Sequence, residues 1–334
     1  MSETIILAIE SSCDESSAAV IENGKIRSNV VATQLIHQKY GGVVPELASR
    51  AHQQHIVSVV AEALSLANIT KNQLSAIAFT RGPGLLGALL VGTSFAKAMA
   101  LGLGIPLIDV HHVQAHVLAH FIDEPAPPFP FLCLTVSGGH TQIVLVKDYL
   151  DMTIIGQTQD DAVGEAFDKA AKMLELPYPG GPLLDKYAQQ GTARFKFPMV
   201  EMQGLNYSFS GIKTAFLYFL RDQKKINPAF VEENLLDICA SFQQTLVGIL
   251  LQKLKRAAQE QNIKHIAIAG GVSANSGLRA ELNKLGQQLG WTTYIPAFEY
   301  CTDNAGMIAM AAHFKYQKGE FCSQAVSPMP RMEW

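Results

Sequence analysis

Cysteine is scarce and unpatterned. Cys13, Cys133, Cys239, Cys301 and Cys322 are scattered along 334 residues without paired spacing. An odd, dispersed set points to reduced thiols in a cytoplasm rather than to a disulfide framework. Charge is also thin, at 16% of residues, and 26 cations face 29 carboxylates for a net charge of -3. That balance excludes a globally basic nucleic-acid binder and leaves only a local patch to meet a polyanion. No uncharged apolar run reaches the roughly 18 residues of a membrane span. The stretch GLLGALLVGTSFAKAMALGLG comes closest, and Lys97 breaks it. The N-terminus lacks a basic region followed by an apolar one, so no secretory leader is expected.

What the chain does have is 48% hydrophobic residues, enough to fill two cores of ordinary size. Its layout is duplicated. Residues 7–34, LAIESSCDESSAAVIENGKIRSNVVATQ, read as strand, tight polar turn, strand, Asn23-Gly24 hairpin, strand. Residues 132–159, LCLTVSGGHTQIVLVKDYLDMTIIGQTQ, repeat that layout over the same length with little identity. Residues 75–110 and 264–296 form a second pair, each strand, Gly-rich loop, helix, strand, and long amphipathic helices precede them at about 45–67 and 230–262. Parallel strands joined by helices imply α/β sheets covered on both faces. Two such halves with Gly turns describe the duplicated actin-like, Hsp70-like (ASKHA) architecture, in which a nucleotide lies in the cleft between domains. The expected division is 1–130 plus 303–330 for the first domain and 131–302 for the second. Residues 160–228 are an expected insertion: a helix (DAVGEAFDKAAKMLEL), a turn (YPGGP) and a loop (GLNYSFSGIKT).

Several motifs carry chemistry. DVHHVQAHVLAHF (109–121) sets His112, His116 and His120 four residues apart, on one face of a helix. Neutral imidazoles at that spacing can grip one transition metal; the spacing also suits a wet stripe or hydrogen-bonded core histidines. A zinc-protease helix would carry Glu after its first His, where this chain has Val113. Two ligands leave most of a coordination shell open, so a third must come from elsewhere. CTDNAGMIAMAAH starts a helix at about Asp303. Asp there is ordinarily a cap, but a last helix returning to the first domain also makes Asp303 the candidate third ligand.

The glycine segments allow two uses each. Ser137-Gly138-Gly139 in TVSGGHTQ is a hairpin or a cradle of exposed amides. AIAGGVSANSGLR places Gly270-Gly271 at the end of a buried strand and Asn275-Ser276 at a helix start, so Asn275 is an N-cap or a ligand contact. GEAFDKAAK sets Asp168 and Lys172 as an i, i+4 ion pair by default. With YPGGPLLD next in the chain, Asp168, Gly181 and Asp185 could instead surround a ribose. SCDESS offers Asp14 and Glu15 in a turn that is solvated or, as in kinases of this architecture, binds magnesium.

Together ESSCDES, YGGVVPELASRAH, GPGLLGALLVG, VHHVQAH, VSGGHTQ, GEAFDKAAK, YPGGPLLD, SFSGIKT, AGGVSAN and CTDNAGMIA closely resemble, in order and over nearly the whole chain, the TsaD family of bacterial type. These are tRNA N6-adenosine threonylcarbamoyltransferases. The resemblance implies one divalent metal, iron or zinc, on His112, His116 and Asp303. It implies substrate contacts at Thr135, Val136, Ser137, Gly138, Gly139, Asp168, Gly181, Asp185 and Asn275, with position 185 less uniform in the family. The implied reaction carries a threonylcarbamoyl group from threonylcarbamoyl-adenylate to N6 of adenosine 37 in tRNAs reading codons that begin with A, and AMP leaves. By position, Asp14 or Glu15 is expected to accept the proton. Implied partners are tRNA, the smaller paralogue TsaB and the P-loop ATPase TsaE, with the helices near 45–67 and 86–103 expected to pack on the paralogue. Arg50, Arg81 and Lys213 are the expected local cations for tRNA. A small-molecule kinase of the same architecture would leave the His pair unexplained, and a nucleotide-dependent scaffold would perform no transfer.

Overall fold

The structure is a computed structural model describing residues 3–199 and 202–334. The chain folds as two units. One gathers the chain up to Ala126 with Asp148–Asp151 and Pro296–Trp334; the other holds Pro127–Lys147 and Met152–Ile295.

The first unit is built on β1 (Ile5–Glu10), β2 (Glu15–Glu22), β3 (Lys25–Thr33), β4 (Ala76–Gly82) and β5 (Leu107–His111), in the order β3-β2-β1-β4-β5. β2 runs antiparallel to β1 and β3, while β4 is parallel to both β1 and β5. The run IILAIE is buried at every position because helices cover both sheet faces. Leu7, Ile9, Val20, Ile77 and Phe79 meet α1 (Pro45–Ala67) and α2 (Leu86–Leu103) through Ile56, Val59, Val60, Ala96 and Ala100. Ile6 and Ala8 alternate to the other face. The small side chains of α9 (Ala305–Gln317) pack on the same strands, with α3 (His112–Leu118) beside it.

The second unit repeats this plan with β6 (Phe131–Val136), β7 (Thr141–Asp148), β8 (Asp151–Gln157), β9 (His265–Ala269) and β10 (Thr292–Tyr294), in the order β10-β9-β6-β7-β8. Its helices are α4 (Val163–Met173), α5 (Gly180–Ala188), α6 (Ser210–Ile226), α7 (Phe230–Gln261) and α8 (Ser276–Leu289). α2 and α7 are long and apolar enough to suit a bilayer by length and composition. Yet α7 lines the core of the second unit through Phe242, Leu246, Leu250 and Leu254, and α2 packs on α1 and β4.

Four sequence expectations are corrected. YPGGP is not a turn: Gly180 opens α5, and a Cβ there would meet the Ala171 Cβ at 2.3 Å. SGIKT is the first turn of α6 rather than a loop. α9 is capped by Asn304, whose Oδ1 accepts from Met307 N at 3.1 Å, and not by Asp303. α3 ends at Leu118, so His120 lies on a separate 3-10 turn rather than on the helix of His112 and His116.

Candidate functional site

The parallel strands of the first unit end at one edge, where α/β sheets commonly receive ligands. Polar residues interrupt the apolar pattern there. Glu10 closes β1, Thr80 lies near the end of β4, and His112 comes directly after β5. Glu10 is 1% exposed, and a carboxylate so placed must be paired. It accepts from Ser12 N, from Thr80 Oγ1 at 2.6 Å and from His112 Nδ1 at 3.0 Å. Since a carboxylate only accepts, Nδ1 carries the hydrogen and the His112 Nε2 is left for a ligand.

That Nε2 lies 3.4 Å from Asp303 Oδ1, and His116 Nε2 lies 3.3 Å from the same oxygen. All three candidate ligand atoms fall within 4.8 Å of one another. Two ligands each about 2.1 Å from a tetrahedral metal sit about 3.4 Å apart. The two His–Asp separations therefore match edges of such a shell, and an imidazole pair with one carboxylate suits zinc or iron. The start of α9 aims Asp303. Ala305 N donates to Ser17 Oγ at 2.8 Å and Gly306 N to Asn29 Oδ1 at 3.1 Å, pinning that turn to β2 and β3.

Burial disfavours an imidazolium at both histidines. At His112 the Asp303 and Glu10 carboxylates outweigh burial and raise the pKa well above the ordinary value. At His116 burial prevails and lowers it. Asp303 is held low because the His112 charge and the hydrogen bonds of both rings overcome burial. In protein stripped of metal the two carboxylates favour a proton on His112, which a metal must displace. Loading at pH 7 is expected to release about one proton and to tighten about tenfold per pH unit while His112 titrates. Calorimetry in buffers of different ionisation enthalpy counts the proton; a count of zero removes a protonated His112 from the ligand set.

In the second unit the corresponding edge carries glycines of two kinds. Gly270 has φ +87°, and a Cβ there would meet Val136 O at 2.4 Å, so the fold itself requires glycine. Gly138, Gly139 and Gly271 have no positive φ, and a Cβ at each would meet nothing within 4 Å. Nothing among the described residues calls for glycine at these three positions. With no side chain there, a phosphate or carbonyl can approach the backbone closely, where Gly139 N donates to Ser137 Oγ at a long 3.4 Å.

Around them the remaining residues form a connected ring. Ser137 Oγ accepts from His140 N at 3.0 Å and shapes the Gly138-Gly139 turn, while Ser137 O accepts from Gly164 N at 3.2 Å in the first turn of α4. Asp168, one turn along α4, accepts from Gly181 N at 2.9 Å at the start of α5. Burial pushes the Asp168 carboxyl up against the pull of the Gly181 and Gly180 amides. Its partners are these amides and not Lys172. Asp185 on α5 accepts from Ser276 N at 3.0 Å and from Ser276 Oγ at 2.7 Å. Asn275 caps α8 by accepting from Leu278 N at 2.9 Å, and its Nδ2 donates to Gln243 Oε1 at 2.8 Å. Thr135 and Val136 are buried inside β6 and lead into the turn.

Asp14 and Glu15 stand at the β1–β2 turn. Burial, then the charges of Asp303 and Asp14, push the Glu15 carboxyl up to about 9. Unless a cation beside Asp303 offsets that repulsion, Glu15 keeps its proton at neutral pH and cannot accept another. Of the expected tRNA cations, Arg81 is engaged: Nη1 meets Asp109 Oδ2 at 2.9 Å and Nε donates to Ser327 O at 3.1 Å. Arg50 pairs with Glu46 at 2.6 Å, both exposed, and Lys213 lies 3.5 Å from Asp161. Glu10, Ser12, Thr80 and Gln243 are not evident from sequence. Glu10 alone leaves a signal there, a carboxylate ending an apolar strand.

Comparison with known proteins gives the family and the fold. Residues 25–310 match the family described as TsaD: tRNA N6-adenosine threonylcarbamoyltransferase. The protein of that name from Cytophaga hutchinsonii is 61% identical over 98% of this chain and 96% of its own. The one from Christiangramia forsetii is 62% identical over 98% of each. Among solved structures, full-length HypF in the phosphate- and nucleotide-bound form superimposes with a TM-score of 0.62 at 13% identity, over 96% of this chain and 47% of that one. At that identity the likeness speaks for the fold, which is the duplicated actin-like one.

Proposed function

This chain belongs to the TsaD family of tRNA N6-adenosine threonylcarbamoyltransferases, and we propose that it transfers the threonylcarbamoyl group of threonylcarbamoyl-adenylate to N6 of the adenosine beside the anticodon of tRNAs reading codons that begin with A, releasing AMP. The observation that carries the reading is the convergence of His112 Nε2 and His116 Nε2 on one Asp303 oxygen, backed by buried Glu10. A kinase site would offer magnesium oxygen ligands instead.

His112, His116 and Asp303 would hold one divalent iron or zinc, which when bound supplies Lewis acidity toward a carbonyl. In the second unit the amides of Gly138, Gly139 and Gly271 receive the adenylate phosphate. Asp168 and Asp185 accept from the ribose hydroxyls on lone pairs their capping bonds leave over. The N6 amine then attacks the carbamoyl carbon. The new C–N bond replaces the C–O bond to phosphate, AMP departs with the electron pair, and the amine proton passes to the Asp14–Glu15 turn. TsaB and TsaE are proposed partners, in a cytoplasmic setting. Val57 and Leu66 on α1 and Leu86, Leu90 and Leu101 on α2 are exposed apolar residues that a helical partner would cover.

The test is nucleoside mass spectrometry of tRNA incubated with the chain and threonylcarbamoyl-adenylate, with and without the partners. Modified adenosine is expected, and none on tRNA carrying inosine at that position, which lacks the amine. Modification of inosine-bearing tRNA would overturn the assignment. Asn275 can be tested separately from its cap. Asn275→Ser keeps an oxygen for Leu278 N but removes the amide donor. Adenylate binding is expected to weaken by about 1 to 3 kcal/mol with little change in melting temperature; unchanged affinity by calorimetry would place the nucleotide elsewhere.

A further inference from the structure

We propose that the solvent face of α6 is the docking track for the tRNA; the proposal rests on the transferase reading above. Residues 202–226 hold Lys213, Arg221, Lys224 and Lys225 against Asp222 alone, in a chain whose net charge is -3. The helix buries Ile212, Phe216 and Leu220. On the other side Leu217 and Tyr218 are about half exposed and Ile226 is 80% exposed. Arg221 lies over the Tyr218 ring, 4.7 Å from its centroid.

This mixture matches RNA better than water or a protein partner. Unpaired bases of RNA loops stack on aromatic rings and guanidinium planes, while flanking cations meet phosphates. The Tyr218–Arg221 stack presents such a plane already formed. Competition from carboxylates is weak. Arg221 and Lys225 share the adjacent, exposed Asp222 at 3.0 Å each, and Lys224 is 3.9 Å from exposed Glu175. Such surface pairs contribute little and yield readily to phosphate. Nearby cations behave differently: Lys253 donates to the carbonyls of Met202 and Gly204, and Arg256 pairs with Glu260.

The helix also starts in the right place. Asp160 accepts from Phe209 N at 2.8 Å and from the hydroxyls of Ser208 and Ser210, fixing the first turn of α6. Asp160 and Asp161 lead into α4, whose Gly164 abuts Ser137 at the glycine turn. From Ser210 the track runs outward to Lys225, roughly 22 Å along the axis. An RNA stem-loop lying along it would set unpaired loop nucleotides between the Tyr218–Arg221 plane and the adenylate cradle, with stem phosphates toward Lys224 and Lys225.

Two variants of the full, metal-loaded chain test this, Arg221→Ala/Lys224→Ala/Lys225→Ala and Tyr218→Ala. Unmodified tRNA binding is followed by anisotropy over a range of salt, alongside single-turnover transfer. The triple variant is expected to bind on the order of tenfold more weakly near 0.1 M salt, with a log–log salt slope shallower by about 2. Tyr218→Ala is expected to lose several-fold affinity with its slope unchanged, because stacking releases no counterions. Adenylate affinity and tRNA-independent adenylate hydrolysis should match the unmutated chain in both. Unmutated tRNA affinity and slope in both variants would overturn the proposal. So would a defect appearing only when partner proteins are added, which would give the face to a protein. If the unmutated chain binds tRNA but transfers nothing, the transferase reading fails, while the binding data still judge the docking face.

Discussion

Replacing His112 and His116 together by Ala is expected to abolish metal binding and threonylcarbamoyl transfer while the fold persists. The two rings would supply two of the three proposed ligand atoms, and Asp303 alone cannot hold a transition metal. Losing a supporting residue behind a metal ligand already costs about 10- to 100-fold in affinity or activity, so losing two ligands should exceed that. The fold should survive because Glu10 keeps the Thr80 hydroxyl and Ser12 amide, and the Asp303 side chain is 23% exposed and can be hydrated. If the double variant proves unstable, His116→Gln alone keeps a donor toward Asp303 and decides the matter. Elemental analysis of protein purified without chelators is expected to fall from about one metal per chain to under a tenth of that. Full occupancy in a folded variant would place the metal elsewhere.

Gly138→Val is expected to leave stability nearly unchanged and to eliminate adenylate binding. A Cβ at Gly138 meets nothing within 4 Å and its φ is not positive, so the fold gives no reason to resist a side chain. Removing glycine from the unfolded ensemble contributes up to about 1 kcal/mol in favour of folding. The added side chain would fill the space where the phosphate must approach the amides. Gly270→Ala should behave in the opposite sense. With φ +87° and Val136 O at 2.4 Å, it must shift the strand end and lower stability by about 1 to 3 kcal/mol. Thermal unfolding and nucleotide titration together read both effects. A folded Gly138→Val chain that binds adenylate normally would remove the turn from the site.

The duplicated layout was legible because it rests on periodicity and punctuation. Asn23-Gly24, the alternating runs and the glycine turns appear as the two sheets of identical strand order. What escaped depends on partners distant in sequence. α5 and α6 begin at glycine and serine-rich stretches that read locally as turn and loop. Their first amides are satisfied by Asp168 and Asp160, 13 and 49 residues away. Asp303 read as a cap, but the residue after it takes that role, which frees its carboxylate for the histidines. Glu10 is legible in the sequence only as a carboxylate ending an apolar strand; its role needs His112, 102 residues later, set against it. Arg81 looked free for RNA because nothing in the sequence announces its pairing with Asp109.

The most direct measurement is a single turnover with excess chain, labelled threonylcarbamoyl-adenylate and tRNA, run on metal-loaded protein and on protein stripped by chelator. The account predicts one modified adenosine per AMP released in the loaded sample. It predicts loss of transfer on stripping and recovery when iron or zinc is restored. Transfer at the same rate in the stripped protein, or ADP release with ATP and a small hydroxyl acceptor in place of tRNA, would contradict it.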